Sequence, residues 1–323
     1  MTRCAFLGFG EVNTPSEVIR RKCAAAEAAL KDAGVTTVSV WPISDDYEEK
    51  DIKRALAALE GERFDSLVLC VAGWIPSHAV VKITELYRHL PMVLWGLCGW
   101  YEDGRLVTTA DQAGTTALRS TFEGLEYKFA YYYDIIGQPS SAPKVAGFCR
   151  AASVAAHLRT AKVGMGGYRD MQLYGTLYDG LSLKQKTGVE IETFELLEVE
   201  QRYRKISDAE KREVVDNRIK KWRFLAEAKD ESLMKAAGYY LAVKAIAEER
   251  HYSALSLKDV DGMKKLLGFP PAPVFMLLGE DRYTTIPEND SLGCVTQLML
   301  SALTGQPAAY LEFYEFFGDR VLA

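Results

Sequence analysis

The stretch that decides the fold is CAFLGFGEVNTPSEVIRRKCAAAEAALKDAGVTTVSVWPI, residues 4–43. Its two ends, Cys4–Phe9 and Thr37–Ile43, are short β-rich runs that predict strands, and Pro15–Ala33 between them has the apolar spacing of an amphipathic helix. Parallel strands need a crossover connection of this length, usually a helix. The stretch therefore predicts a βαβ unit and an α/β fold.

The same alternation continues through the first half of the chain. It predicts a helix over Glu49–Leu59, a strand over Ser66–Ala72, a helix over His78–His89, a strand over Met92–Leu97, and a helix and a strand within Gln112–Ile136. Strands that are apolar on both faces and joined by helices belong to a parallel sheet that is covered on both sides. Ligands of such a doubly wound sheet gather at the carboxyl ends of its strands.

A second α/β series follows a predicted connecting helix, which runs from Pro143 to about Thr160. The series comprises a strand Val163–Gly166, a helix Leu173–Thr187, a strand Val189–Leu196, two long helices within Asp208–Glu249, strands Ser253–Leu257 and Val274–Leu278, a helix Leu292–Leu303 and a last strand near Ala308–Phe313. We therefore predict two doubly wound parallel-sheet domains, 1–160 and 161–313, followed by residues 314–323.

Composition and charge exclude several classes of protein. The 323 residues are 48% hydrophobic and 26% charged, with a formal net charge of −5, and basic clusters that would mark a nucleic-acid surface do not stand out. Six scattered cysteines, without metal-ligand spacing, fit a reducing compartment. The amino terminus does not resemble a signal peptide, and no apolar run reaches the length of a membrane span. We expect a cytoplasmic protein with neither nucleic acid nor membrane as partner.

Two carboxylates near the carboxyl end form the main candidate site. The residues Asn289, Asp290 and Ser291 favour a helix start, so Glu288 is expected beside a helix amino terminus. A right-handed crossover would bring Glu312, at the end of the predicted last strand, to the same edge of the sheet. Such a pair suits ligation of a hard cation, Mn²⁺ or Mg²⁺, or acid–base chemistry beside a carbonyl. By spacing alone, a partner of the helix dipole and a solvated strand end remain open interpretations.

The string PENDSLGCVTQLMLSALTGQP, residues 287–307, resembles a motif of the L-fucose isomerases, within the L-fucose and L-arabinose isomerase-like proteins. In that family a Glu precedes Asn-Asp-Ser, an apolar helix and Leu-Thr-Gly, and an acidic residue stands near the end of the next strand. The resemblance implies that Glu288 and Glu312 are Mn²⁺ ligands and catalytic acid–base residues. The fucose members have Asp where this chain has Glu312, one methylene longer.

Weaker similarity covers nearly the whole chain and implies further features. In CVAGWIPSHAV, residues 70–80, Trp74 matches a substrate-contacting Trp that reaches into a neighbouring subunit, which implies a homo-oligomer, typically a hexamer. The loop after Val163–Gly166 offers Arg169 and Asp170 as hydroxyl contacts, or is an ordinary tight turn. The family also has a third, mostly β domain that supplies a His ligand. This sequence stops 11 residues after Glu312 (323 − 312), and none of its four histidines matches the context of that ligand. We therefore expect that it is truncated before the barrel, with 314–323 as the start of the truncated carboxyl-terminal segment, or that it is a member that lost this third wall of the site. By itself, we expect the chain to bind the cation poorly and to isomerise nothing.

The predicted function is a metal-dependent aldose–ketose isomerase that moves a proton between C1 and C2 of an open-chain sugar through an ene-diol. One alternative is a catalytically silent sugar-binding or regulatory protein on the same two domains. A lyase or epimerase with the same ene-diol chemistry is another. The glycine-containing loops at 8–10 and 164–167 lack the full dinucleotide fingerprint, so no nucleotide cofactor is predicted.

Overall fold

A computed structural model of the protein describes residues 2–322. The chain divides into two compact units, Met1–Ala156 and His157–Ala323. The division falls inside the helix that was predicted to connect the two α/β series, and Met1 and Ala323, which end the predicted domain bounds, lie outside the described residues. Among the residues described, no helix combines the length and the apolar character needed to cross a membrane.

The first unit is built around a parallel sheet. Its elements are β1 (Arg3–Phe9), α1 (Ser16–Asp32), β2 (Thr36–Ile43), α2 (Lys50–Leu59), β3 (Ser66–Val71), α3 (Ser77–Thr84), β4 (Met92–Gly96), β5 (Trp100–Glu102), β6 (Arg105–Val107), α4 (Asp111–Gly124), β7 (Phe129–Tyr133) and α5 (Ala142–Leu158). Five strands pair in the order β2-β1-β3-β4-β7, and every pairing is parallel. The short β5–β6 hairpin, which was not predicted, pairs antiparallel apart from this sheet.

Both faces of the central strands are buried, as the apolar runs indicated. Leu7 and Leu69 pack into one apolar cluster, whereas their neighbours Phe6 and Val68 pack into another. Because successive side chains of a strand point to opposite faces, these two clusters lie on the two sides of the sheet. The predicted α/β fold with parallel sheets covered by helices is confirmed.

The second unit repeats the architecture with a smaller sheet. Its elements are β8 (Lys162–Gly166), α6 (Gly180–Thr187), β9 (Glu190–Phe194), α7 (Leu196–Tyr203), α8 (Asp208–Asn217), α9 (Asp230–Arg250), β10 (Ala254–Leu257), a π-helical turn (Asp259–Lys264), α10 (Ala272–Glu280), β11 (Thr284–Ile286), α11 (Ser291–Thr304), β12 (Glu315–Phe316) and β13 (Val321–Leu322). Four parallel strands pair in the order β11-β10-β8-β9. The β12–β13 pair forms a separate antiparallel hairpin.

Three predicted elements of this unit were wrong. The run Val274–Leu278 lies inside helix α10, and the strand that joins the sheet is β11, further along the chain. A short apolar run cannot be assigned to a buried strand or a buried helix by periodicity alone. The segment 308–313 has no regular secondary structure. The helix predicted from Leu173 begins only at Gly180, where the side chain of Asp179 caps it by accepting the Ser182 N–H at 2.8 Å.

Candidate functional site

The candidate site lies at the carboxyl ends of strands β8, β10 and β11 of the second unit. In the order β11-β10-β8-β9, the chain passes from β8 to β9 on one side and then returns to β10 and β11 on the other side of β8. The strand order therefore reverses between β8 and β10. Such a switch point is where ligands bind in open parallel sheets, because the loops that follow the two strands part there. The loop after β8 reaches Asp170, β10 is followed closely by Asp259, and β11 by Glu288.

The loop after β11 has an unusual backbone. Glu288 and Asn289 adopt left-handed conformations in succession, with φ of 63° and 52°. Asparagine tolerates this region better than most residues, whereas glutamate has no such preference. A residue held in a sparsely populated conformation costs on the order of 1–3 kcal/mol and persists only where its surroundings fix it. The loop that carries Glu288 must therefore be held by its neighbours.

Strand β10 provides one set of those contacts. The backbone N–H of Glu288 donates to Oδ1 of Asp259 at 2.6 Å. The buried hydroxyl of Ser256 donates to the carbonyl oxygen of Ile286 at 2.6 Å. Both contacts tie the end of β11 to its neighbouring strand immediately before the left-handed pair.

Strand β8 provides the other set, through the side chain of Asn289. The Asn289 amide is buried and donates to the carbonyl oxygens of Gly166 at 3.1 Å and Tyr168 at 2.6 Å. Between them, Gly167 turns the chain with φ of 83°, a conformation that favours glycine. The loop after β11 is thus joined to the carboxyl ends of its neighbour β10 and of β8, the next strand of the sheet.

Asp170 lies beneath these loops, with none of its surface exposed. Its Oδ2 accepts the backbone N–H of Val260 at 2.8 Å, and its Oδ1 accepts those of Asp261 at 2.8 Å and Met171 at 3.0 Å. The carboxylate therefore holds the π-helical turn after β10. Its role as a sugar contact stays a prediction, and a sugar hydroxyl would have to reach a carboxylate already occupied by three backbone donors.

The site concentrates negative charge. Partial burial raises the pKa of the half-buried Glu288 above its ordinary value, and the charges of Glu312, Asp259 and Asp170 raise that pKa further. Burial likewise raises the pKa of Asp259, with a contribution from the charge of Asp170. The charge of Glu312 thus acts on Glu288, although the segment that carries Glu312 is irregular and not the predicted strand.

Glu312 itself is exposed and is held by two tyrosines. Its Oε1 accepts the hydroxyl of Tyr310 at 3.2 Å, and its Oε2 accepts that of Tyr314 at 3.4 Å. Burial raises the pKa of Tyr310, and the charge of Glu312 and the hydrogen bond to it raise that pKa further. Tyr310 therefore stays a hydrogen-bond donor across the neutral range.

The two glutamates have the donor type that a hard divalent cation prefers. A cation would also relieve their repulsion. Within residues 2–322, however, no three His, Cys, Asp or Glu side chains converge so as to hold a metal ion, and all four histidines are exposed. The two carboxylates thus have the right chemistry for a divalent cation, but residues 2–322 do not supply a third protein ligand beside them.

Of the two remaining predicted site residues, Arg169 lies in the second unit and Trp74 in the first. Arg169 is half-buried and lines a pocket of about 30 Å³ together with Asn289 and Ser291. Its guanidinium lies over the ring of Tyr174 at 5.2 Å from the centroid. Trp74 belongs to the other unit, where it follows strand β3 and is 37% exposed. The structure therefore brings Arg169 next to the Glu288 loop, and the predicted role of Trp74 stays a prediction.

Asp259 and Ser256 are the site residues that the sequence analysis missed. Both lie on or just after the strand over 254–257, which was predicted nearly at its observed bounds. A carboxylate directly after a buried parallel strand is a site candidate by position alone, because ligands gather at that edge. That signal could have identified Asp259.

Fold and site together define a doubly wound α/β protein with an acidic cluster at the carboxyl edge of its second sheet. No protein-family model matches the sequence. The chain is 20% identical over 262 residues to the sulfoquinovose isomerases of Priestia aryabhattai and Priestia megaterium, an alignment that covers 81% of this chain. The same alignment covers 58% of each relative, so the chain spans little more than half of their length. The protein is distantly similar to sugar isomerases.

Proposed function

We propose that the chain is part or all of a metal-dependent aldose–ketose isomerase of the L-fucose isomerase type, acting on an open-chain sugar. The observation that carries the proposal is that Glu288 lies at the carboxyl edge of the second sheet within reach of the charge of Glu312, which contributes to the raised pKa of Glu288. Distant similarity to two sulfoquinovose isomerases supports the same class of reaction. By the same resemblance, the protein acts as a homo-oligomer in which Trp74 reaches a neighbouring subunit's site.

Glu288 is the better candidate for the proton transfer. Its carboxylate takes the proton from C2 of the aldose, the C–H electron pair forms the C1–C2 double bond, and O1 gains a proton. The resulting ene-diol then loses the proton of O2 as C1 receives one from Glu288, which leaves a ketone at C2. Glu288 is half-buried, whereas Glu312 is exposed, so Glu288 is the better shielded from water of the two carboxylates.

Glu288 and Glu312 would hold the divalent cation, Mn²⁺ in this proposal. When bound, the cation would supply positive charge for the oxygens of the reacting carbonyl. The hydroxyls of Tyr310 and Tyr314 would keep the Glu312 carboxylate in place from the opposite side. Arg169, with its place in the neighbouring pocket, is proposed as a donor to a sugar hydroxyl.

The proposal is tested by incubating the protein with Mn²⁺ in D₂O and following ketose formation by NMR. The substrates are sulfoquinovose, the sugar named for the relatives, together with L-fucose and D-arabinose. Transfer through an ene-diol puts solvent deuterium at C1 of the ketose, whereas a direct hydride shift does not. Deuterium at C1 would therefore support the ene-diol, and the absence of ketose from all three sugars at any Mn²⁺ concentration would contradict catalysis by this chain.

Matched variants test the assignment of residues. Glu288→Gln and Glu312→Gln remove a charge without changing volume and should each abolish turnover while circular dichroism stays that of the parent. Glu315→Gln, at an exposed glutamate nearby in the chain, is the control and should keep full activity. Retained turnover in both Glu288→Gln and Glu312→Gln would show that the chemistry lies elsewhere.

A sugar-binding protein without catalysis is the second candidate. It is favoured by one observation, the convergence of only two candidate metal ligands within residues 2–322. Isothermal titration with the same sugars separates the two functions. Saturable binding without ketose formation at any Mn²⁺ concentration would favour the binding protein.

A further inference from the structure

The side chain of Asp259 binds the backbone of Glu288 and not the Glu288 side chain. Its Oδ1 accepts the Glu288 N–H at 2.6 Å, a short bond to a carboxylate. The donor belongs to a residue with φ of 63°, which glutamate rarely adopts. The acceptor stands at the start of the π-helical turn, two residues after β10, which pairs with β11 in parallel register up to Ile286. Asp259 and Glu288 therefore follow two adjacent strands of the same sheet.

We propose that Asp259 is a positioning residue for Glu288, an inference that rests on the proposed function. By holding the Glu288 amide, Asp259 fixes the left-handed backbone and with it the direction in which the glutamate side chain leaves the loop. The other contacts are placed differently. Ser256 donates to the carbonyl oxygen of Ile286 at 2.6 Å, and Asn289 binds the end of β8 through its own side chain. Ser256 also reaches the carbonyl oxygen of Pro287, on the same peptide plane as the Glu288 N–H, but at the longer distance of 3.3 Å. Asp259 is the group that accepts the Glu288 N–H itself.

The surroundings of Asp259 explain how it can serve in this way. Asp170 holds the backbone of Val260 and Asp261, the two residues that follow Asp259. Its buried carboxylate thereby fixes the start of the π-helical turn on which Asp259 stands. The chain of contacts runs from Asp170 through this turn to Asp259 and then to Glu288.

The test uses four variants in the full chain. Asp259→Ala and Asp259→Leu both remove the acceptor, the second without leaving a cavity, and Asp259→Asn keeps an acceptor oxygen. Asp261→Asn is the control, since its side chain lies on the same turn and pairs with Lys265, away from the Glu288 amide. Kinetics with whichever of sulfoquinovose, L-fucose and D-arabinose the parent converts are combined with hydrogen exchange of the Glu288 amide, resolved by NMR.

We expect Asp259→Ala and Asp259→Leu to lower kcat about 100-fold with KM changed less than about threefold, because a small misplacement of a reacting group has an effect of that size. Exchange of the Glu288 amide should accelerate at least roughly tenfold in both. Asp259→Asn should recover most of the activity and the protection, and Asp261→Asn should match the parent in both measurements.

Other outcomes overturn the inference. If Asp259→Leu keeps the parent's kcat, or keeps the Glu288 amide protected, Asp259 does not position Glu288. If kcat and thermal stability fall equally in Asp259→Asn and Asp259→Leu, with protection unchanged, the role is structural only. If the parent itself turns over none of the sugars, as we expect of this chain by itself, the kinetic comparison gives no result and the exchange data alone decide: unchanged protection of the Glu288 amide in Asp259→Leu overturns the inference.

Discussion

Replacing Asp170 by Leu should destabilise the second unit strongly, because the carboxylate is buried and accepts backbone donors from another part of the chain. Leu keeps the volume but leaves the N–H groups of Val260 and Asp261 without their acceptor. Hydrogen bonds to a charged group contribute about 1.5–3 kcal/mol each, so the two distant bonds together amount to about 3–6 kcal/mol. Removing the Asp170 charge also relieves its repulsion of Glu288 and Asp259, which places the expected loss at the lower end, about 3 kcal/mol.

The assay is thermal and urea unfolding at pH 7, with intrinsic fluorescence and circular dichroism as probes. A loss of that size lowers Tm by on the order of 10 °C. Asp179→Leu is the matched control: Asp179 is exposed and accepts one backbone N–H as the cap of α6, so its loss costs about 1 kcal/mol. Asp170→Asn, which keeps one acceptor oxygen, should fall between the two.

A contrary result would support the sugar-contact hypothesis for Asp170. If its main role were to bind a hydroxyl, Asp170→Leu would raise KM and leave Tm within a degree or two of the parent. A stability loss below about 1 kcal/mol would refute the reasoning from the backbone contacts.

Three further predictions follow from the charges and exposed side chains of the site. The raised pKa of Glu288 means that stability is lost as pH rises above its ordinary value of 4.5, so Glu288→Gln should be more stable than the parent at pH 8 by urea unfolding, with the difference vanishing near pH 4. Calorimetry should give Mn²⁺ a dissociation constant on the order of 10⁻⁴ M or weaker in this chain, since two carboxylates leave most of the ligand shell to water; micromolar binding would contradict this. Light scattering should show a homo-oligomer that Trp74→Ala weakens, and a monomer at working concentration would count against the shared site.

The fold could be predicted largely from the sequence, because its decisive elements are strongly patterned. Strand β3, Ser66–Val71, is buried along its whole length, and its residues 67–71 form an unbroken apolar run. The β5–β6 hairpin was missed, since its three-residue strands are too short to show a period. In the second unit, Val274–Leu278 is as apolar as a buried strand, and only its packing beside helix α9 decides that it is helical.

The position of the site was predictable to a greater degree than its geometry. The sequence analysis placed Glu288 at a helix start, and the structure puts it two residues before Asp290, the cap of α11, whose side chain accepts the Gly293 N–H at 2.9 Å. The left-handed backbone of Glu288 was not predictable, because it depends on Asp259, a residue far away in the sequence. The conformational preferences of neighbouring residues do not indicate a contact between residues this far apart in the sequence.

The loop that carries Glu288 combines backbone strain with charge repulsion, and both destabilise the folded state. The left-handed backbone of Glu288 and the carboxylates around it both raise the free energy of the folded state, and neither would persist in a loop that served only to connect β11 with α11. A position that lowers stability and is nevertheless braced by Asp259, Ser256 and Asn289 is expected where function requires a charged group in a fixed place. The gain in stability predicted for Glu288→Gln and the loss of activity predicted for the same change are therefore two measurements of one property, the accumulation of negative charge that a bound cation would neutralise.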